Sequence, residues 1–179
     1  MAQSPEGCFR YPVGRAGLEF LAYDPALIRQ LPEAVAASYC GVGNPFSLGA
    51  LQPGDRVLDL GCGAGVDAIL AALMVGPTGQ VVGLDLVPEM VARARANAQL
   101  LNLENLSFLE GRAEDLPFPA DSFEVVISNG VFNLVVDKLQ ALREVWRVLK
   151  PGGRFQIADQ VLSGELPQDP ATRVASWFR

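Results

Sequence analysis

The sequence predicts a doubly wound α/β domain, a mostly parallel sheet with helices on both faces. Three observations predict it. From Gln52 onward, short apolar runs alternate with helical stretches, the order that a parallel sheet with crossover helices produces. The runs are nearly continuous in apolar residues, as strands covered on both faces must be. The 18 glycines and 13 prolines in 179 residues supply the tight turns that many short elements need. Half of the residues are hydrophobic and 19% are charged, so the chain can bury a core and is not disordered.

Residues 1–50 read as an N-terminal helical cap segment. Asp24-Pro25 is an N-cap followed by proline at the first helical position. Interrupted helix then runs toward Tyr39, and Gly41-Val-Gly-Asn-Pro45 ends it. Residues 51–162 form the main domain. After the Pro53-Gly54-Asp55 turn, Arg56–Leu60 is the first strand and Ala64–Val75 the first helix. Gly76-Pro-Thr-Gly79 turns the chain into a second strand, Gln80–Leu86. Pro88 opens a helix through about Leu101. Leu106–Glu110 and Phe123–Ile127 are the third and fourth strands. Asp137 caps a helix with Leu139, Leu142, Val145, Trp146 and Leu149 on one face, and Trp146, like the other aromatics, is expected in the core. Pro151-Gly-Gly153 stops it, and Arg154–Val161 is the fifth strand.

Charge and composition exclude several functions. The net charge is −6 and the pI is about 4.6, whereas a nucleic-acid binder needs a basic face to neutralise phosphates. Arg143, Arg147 and Lys150 read as a solvated helix face, so a small molecule is expected as partner and nucleic acid is not. The first eight residues lack an apolar core, so they are not a signal peptide. Ala68–Val75 is too short to span a membrane. Cys8, Cys40 and Cys62 form no CxxC pair, so neither a metal site nor a disulfide framework is implied, and a reducing cytoplasm is the expected compartment. There is no histidine, which removes the commonest general base and any Ser-His or Cys-His nucleophile. No residue is singled out as a catalytic acid or base.

The strongest chemical signal is Asp59-Leu-Gly61-Cys-Gly63-Ala-Gly65 at the end of the first strand. Glycines allow a sharp turn and close approach to a ligand, and the helix that follows aims its first N–H groups at it. Alternatively the stretch is a glycine turn without a ligand. In the frame Gly63, Gly65, Ala68 it also fits the G-x-G-x-x-A pattern of nicotinamide dinucleotide sites. Asp59 weighs against that rival: a carboxylate at the mouth of the loop repels a pyrophosphate but attracts an ammonium or sulfonium cation. Asp85, ending the second strand with Leu86 beside it, suits the two hydroxyls of a ribose and serves either nucleoside cofactor; the alternative is a solvated strand end.

Five segments together resemble the successive motifs of the Rossmann-like S-adenosylmethionine-dependent methyltransferases. They are Val57-Leu-Asp-Leu-Gly-Cys-Gly-Ala-Gly65, Gly83-Leu-Asp85, Gly111-Arg-Ala-Glu-Asp-Leu-Pro-Phe118, Asp121-Ser-Phe-Glu-Val-Val-Ile127 and Leu142-Arg-Glu-Val-Trp-Arg-Val-Leu-Lys-Pro-Gly-Gly153. The resemblance implies S-adenosyl-L-methionine as cofactor. It implies that the backbone at Gly61 and Gly63 holds the methionine part, Asp85 the ribose, and the Ala113 N–H with the Glu114 carboxylate the adenine. Glu114 and Asp115 read alternatively as a solvated acidic turn, and Cys62 as a small loop residue. Ser128 and Asn129 are expected to line the methyl-transfer pocket, with Tyr39, Cys40 and Asn133 completing the acceptor site.

A narrower resemblance, to arsenite methyltransferases and their relatives, rests on Gly41-Val-Gly-Asn-Pro45, Ile127-Ser-Asn-Gly-Val-Phe-Asn-Leu134 and Gln156-Ile-Ala-Asp-Gln-Val161. That family binds trivalent arsenic through cysteine thiolates. Two expected positions fall on Val42 and Gly130, and a third lies beyond Arg179. The expected reaction is therefore methyl transfer to a small molecule. Arsenite methylation, a nicotinamide oxidoreductase and a non-catalytic cofactor-binding fragment are the alternatives. The family closes its sheet with two more strands, so residues 163–179, with Pro167, Pro170 and the final Trp177-Phe-Arg179, read as the start of an incomplete C-terminal part. The fifth strand is then expected to be an exposed edge, open to pairing in a homodimer.

Overall fold

The computed structural model describes residues 11–161. The calls on Cys8 and on 163–179 lie outside these described residues. Three short helices come first: α1 (Gly14–Phe20), α2 (Pro25–Ile28) and α3 (Glu33–Ala36). Asp24 caps α2 by accepting the Ala26 N–H at 2.7 Å, as the Asp-Pro pair predicts. A 3-10 turn at Pro45–Leu48 leads into the alternating part: β1 (Arg56–Leu60), α4 (Val66–Val75), β2 (Gln80–Asp85), α5 (Pro88–Gln99), β3 (Leu106–Glu110), β4 (Phe123–Asn129), α6 (Lys138–Val148) and β5 (Leu149–Ala158).

The sheet order is β3-β2-β1-β4-β5, and every neighbouring pair is parallel. The strand order reverses at β1, which opens a crevice at its carboxy end between the β2 and β4 sides. Alternation along β1 divides the core. Val57 joins α4, α5 and the N-terminal segment in one apolar layer, which includes Leu18, Tyr23, Ile28, Leu31, Val35 and Tyr39. Leu58 and Leu60 face α6 in a second layer with Leu84, Phe123, Val126 and Val145. The N-terminal segment thus shares the main domain's core.

Four details depart from the sequence expectation. Helix α4 starts at Val66, because Gly63 and Gly65 have positive φ (52° and 83°) and hold the chain out of the helix until then. Strand β2 stops at Asp85, which leaves Leu86 exposed. Strand β5 already begins at Leu149 and ends at Ala158. The Pro151-Gly-Gly153 run lies inside it as a bulge: Phe123 pairs with Leu149, but Val125 pairs with Arg154.

Trp146 is the fourth correction. It is 82% exposed, and Leu139 and Leu142 are exposed with it. The buried face of α6 is Ala141, Val145 and Val148, where a small alanine lets the helix lie close to the sheet. One flank of α6 is polar: the Leu116 N–H donates to Glu144, and Arg147 donates to the Leu116 and Phe118 carbonyls. The Leu139–Leu142–Trp146 stripe occupies the opposite flank. Strand β5 is an edge of the sheet among the described residues.

Replacing Trp146 by Ala should therefore leave the urea unfolding free energy within about 0.5 kcal/mol of the parent. Ile69→Ala, at a fully buried position of α4, should cost roughly 2–5 kcal/mol. Equal losses would place Trp146 in the core after all.

Candidate cofactor and acceptor site

A cavity of about 310 Å³ opens at the carboxy end of β1, where the strand order reverses. Its walls bring together Asp59, Gly61, Cys62, Gly63 and Asp85 from the predicted cofactor set. Tyr39, Cys40, Asn129 and Asn133 from the predicted acceptor set line it as well. Val42, Met90, Gly130, Val131 and Leu134 make the remaining surface predominantly apolar.

The glycine loop is shaped by contact. Gly61 has φ 75°, and a Cβ there would lie 2.3 Å from a Val131 methyl. Gly63 has φ 52°, and a Cβ would meet nothing within 4 Å; it would project into open space that a ligand can fill. Gly65 lies behind the wall, where a Cβ would strike Phe108 and Ala94. The loop is tied back by Asp85, which accepts the Gly63 N–H at 2.8 Å and the Val87 N–H at 2.9 Å. Gly61 and Cys62 both donate to the Leu84 carbonyl.

Asp59 is the electrostatic centre. It is 2% exposed. The Ala68 N–H supports one oxygen, while Oδ2 has no hydrogen-bond partner. Burial pushes this carboxyl well above the usual carboxylate range, and the Asp67 and Asp85 carboxylates push it further. A buried carboxylate with an open oxygen at the mouth of a glycine cradle fits the ammonium of S-adenosylmethionine and disfavours a pyrophosphate.

Asp67, in the first turn of α4, was missed in the sequence because it reads as a helix-start acid. It is buried, and burial raises it to about 6 despite two donors: the Tyr23 hydroxyl at 2.8 Å and Asn129 Nδ2 at 2.9 Å. Tyr11 also lines the cavity, its hydroxyl pushed by burial to about 12. Burial likewise raises the thiols of Cys40 and Cys62.

The structure does not bring every expected residue to the cavity. Ser128 has no exposed surface and donates to the Leu60 carbonyl at 3.0 Å. It follows Ile127 on the strand, so its side chain turns into the α6 layer. Leu86, Ala113 and Glu114 lie outside the cavity wall; Leu86 is exposed at the end of β2, and Ala113 packs in the α6 layer. Glu114 stands 3.9 Å from Arg112. Among the described residues no cluster of three metal-binding side chains occurs, and no helix is long and apolar enough to cross a membrane.

The raised carboxyls set the sign of a pH dependence. A cation at Asp59 favours the ionised form, so the free protein carries more protons than the complex, and affinity rises with pH. Binding of S-adenosylmethionine should therefore strengthen as the pH climbs through the raised range to which burial pushes Asp59. Calorimetry in two buffers of different ionisation enthalpy should detect proton release; its absence would mean that Asp59 is already ionised or does not meet the cation.

Comparison with known proteins identifies a family. A model of a methyltransferase domain matches residues 51–179. Arsenite methyltransferase from Halobacterium salinarum is 41% identical over 163 residues, which cover 91% of this chain and 41% of that protein. Demethylmenaquinone methyltransferase from Listeria welshimeri is 42% identical over 110 residues, 61% of this chain and 46% of that one. The chain thus spans less than half the length of these curated relatives. Among solved structures, an arsenic(III) S-adenosylmethionine methyltransferase from Chlamydomonas reinhardtii superposes with a TM-score of 0.75 at 36% identity, covering 87% of this chain and 55% of that one. An S-adenosylmethionine-dependent methyltransferase from Aquifex aeolicus gives 0.63 at 25% identity, covering 90% and 81%. With its cradle, its buried acid and these relatives, the chain belongs to the methyltransferase domain family, whose cofactor is S-adenosylmethionine.

Proposed function

We propose that the protein transfers the methyl group of S-adenosylmethionine to a small-molecule acceptor. The observation that carries this is the open oxygen of buried Asp59 beside the Gly61–Gly65 cradle. Bound there, the cofactor supplies a methyl carbon already made electrophilic by its sulfonium. Asp59 meets the ammonium, the backbone at Gly61 and Gly63 packs against the methionine chain, and Asp85 takes the ribose hydroxyls while it holds the loop. Ala113 and Glu114 lie outside this cavity, and an adenine role for them rests on the motif resemblance alone. The chain's remaining task is to place the acceptor in line with the methyl and to exclude water. The alternating part from residue 51 onward acts as the cofactor-binding unit, and Tyr11 and residues 39–42 of the N-terminal segment close one side of its cavity.

The acceptor end supports an organic molecule over a metalloid. Positions 42 and 130, where the arsenite methyltransferase resemblance calls for thiols, face each other: a Cβ on Gly130 would stand 3.4 Å from a Val42 methyl. They present an isopropyl group and a hydrogen, whereas a soft metalloid needs thiolates. Cys40 and Cys62 do not make up the loss, because two thiols fall short of a three-thiolate cage. The net negative charge argues against a nucleic-acid acceptor. A second copy meeting the β5 edge and the apolar flank of α6 is the expected partner, in the cytoplasm; light scattering over a concentration series reads the oligomer directly.

Two measurements test the assignment. Asp85→Ala should weaken S-adenosylmethionine binding by roughly 1.5–3 kcal/mol in calorimetry, as for hydrogen bonds to a charged group. Tight NAD binding with no affinity for S-adenosylmethionine would sink the assignment. Arsenite should be methylated slowly or not at all in a turnover assay; rapid methylation abolished by Cys40→Ser would restore the metalloid alternative.

A further inference from the structure

Asn129 ends β4 at the floor of the cavity, where an acceptor ligand is expected, yet its amide is already committed. Its Oδ1 accepts the Val42 N–H at 2.8 Å and the Gly43 N–H at 3.2 Å. Its Nδ2 donates to Asp67 Oδ2 at 2.9 Å and to the Gly43 carbonyl at 2.8 Å. One amide has two hydrogens and two lone pairs, so these four bonds use its full capacity.

The partners come from three distant parts of the chain. Asp67 is in α4, Asn129 ends β4, and Tyr23, Tyr39 and the 41–43 turn belong to the N-terminal segment. Tyr23 donates its hydroxyl to Asp67 Oδ1 at 2.8 Å, and Tyr39 donates to the Gly43 carbonyl at 2.9 Å. The turn presses so closely on this network that a Cβ on Gly41 would lie 2.3 Å from Asn129 Nδ2 and 2.5 Å from the Tyr39 hydroxyl. Held this way, the turn sets Val42 directly against Gly130.

We propose that Asn129 and Asp67 form a positioning clamp that fixes the Val42–Gly43 turn as one wall of the acceptor end, with Asn129 acting through that turn and not touching the substrate. The wall's role rests on the methyl-transfer reading above; the clamp does not. The arrangement also predicts a specific rescue. Asn129→Asp keeps an acceptor for the two turn N–H groups but sets a carboxylate against Asp67. Asp67→Asn alone loses an ionised acceptor and can turn a donor toward Asn129. With both changes, the amide at position 67 donates to the carboxylate at 129, and the bond across the clamp is rebuilt with its polarity reversed, while the Gly43 carbonyl, deprived of the Asn129 donor, keeps the Tyr23 and Tyr39 hydroxyls.

The experiment is residue-resolved amide hydrogen exchange on the full chain, compared with calorimetric binding of S-adenosylhomocysteine. Asn129→Ala, Asn129→Asp and Asp67→Asn should each lower protection at Val42 and Gly43 by about tenfold, the scale of a lost charged-group hydrogen bond. Amides of β1 should change far less. The double variant Asn129→Asp with Asp67→Asn should recover protection to within about threefold of the parent, a reciprocity that a packing defect does not produce. If the single variants unfold, Tyr23→Phe, which removes one hydroxyl and little volume, should lower protection at the same two amides. Unchanged protection in Asn129→Ala or in Tyr23→Phe would overturn the clamp, as would a double variant no better than the singles. Loss of S-adenosylhomocysteine binding in the parent would instead sink the methyl-transfer reading and leave the clamp standing.

Discussion

A desolvated carboxylate on the central strand is the constraint around which this molecule is arranged. Asp59 occupies a position on β1 where its neighbours along the strand, Val57, Leu58 and Leu60, are fully buried hydrophobics. Leaving an acid there is expensive unless a counter-charge comes to it. The surroundings reduce that cost only partly, through the Ala68 N–H. They add to it through Asp67 and Asp85, which crowd the same end of the sheet with negative charge. The fold thus stores an electrostatic demand in the one crevice that its strand order creates, and a small organic cation can meet it.

The sequence revealed the features that depend on local chemistry. Strands β1, β2 and β4 stand out because buried parallel strands are nearly unbroken apolar runs. The Asp59–Gly65 loop stands out because a turn with three left-handed glycines needs those residues whatever surrounds it. The Asp24-Pro25 cap is equally local. What stayed hidden depends on partners far along the chain. Asp67 sits 44 residues from Tyr23 and 62 from Asn129, and no spacing rule joins them. Ser128 looks like a pocket residue by its place near the carboxy end of β4, yet strand alternation sends it inward to the Leu60 carbonyl.

Trp146 shows a limit of periodicity. Leu139, Leu142 and Trp146 have helical spacing, and spacing finds an apolar stripe. It does not say which of two stripes meets the sheet. The smaller set of Ala141, Val145 and Val148 wins that place because a narrow face allows closer packing between helix and strand layers. Bulk is then left for the flank. The Pro151–Gly153 bulge follows a similar logic: proline and glycine ended the helix on paper, but in three dimensions the chain had already joined β4 at Leu149, and the bulge absorbs the surplus residues at a sheet edge.

The two flanks of α6 give this domain a division of labour over evolutionary time. Its polar flank is bonded to the 116–118 segment, so changes at Glu144 or Arg147 disturb the backbone that follows the Gly111–Asp115 turn. Its apolar flank makes no such bond. Substitutions at Leu139, Leu142 and Trp146 can drift with little effect on the cradle. That outer surface can therefore change while the cradle is kept, so one helix holds its variable face apart from the cavity.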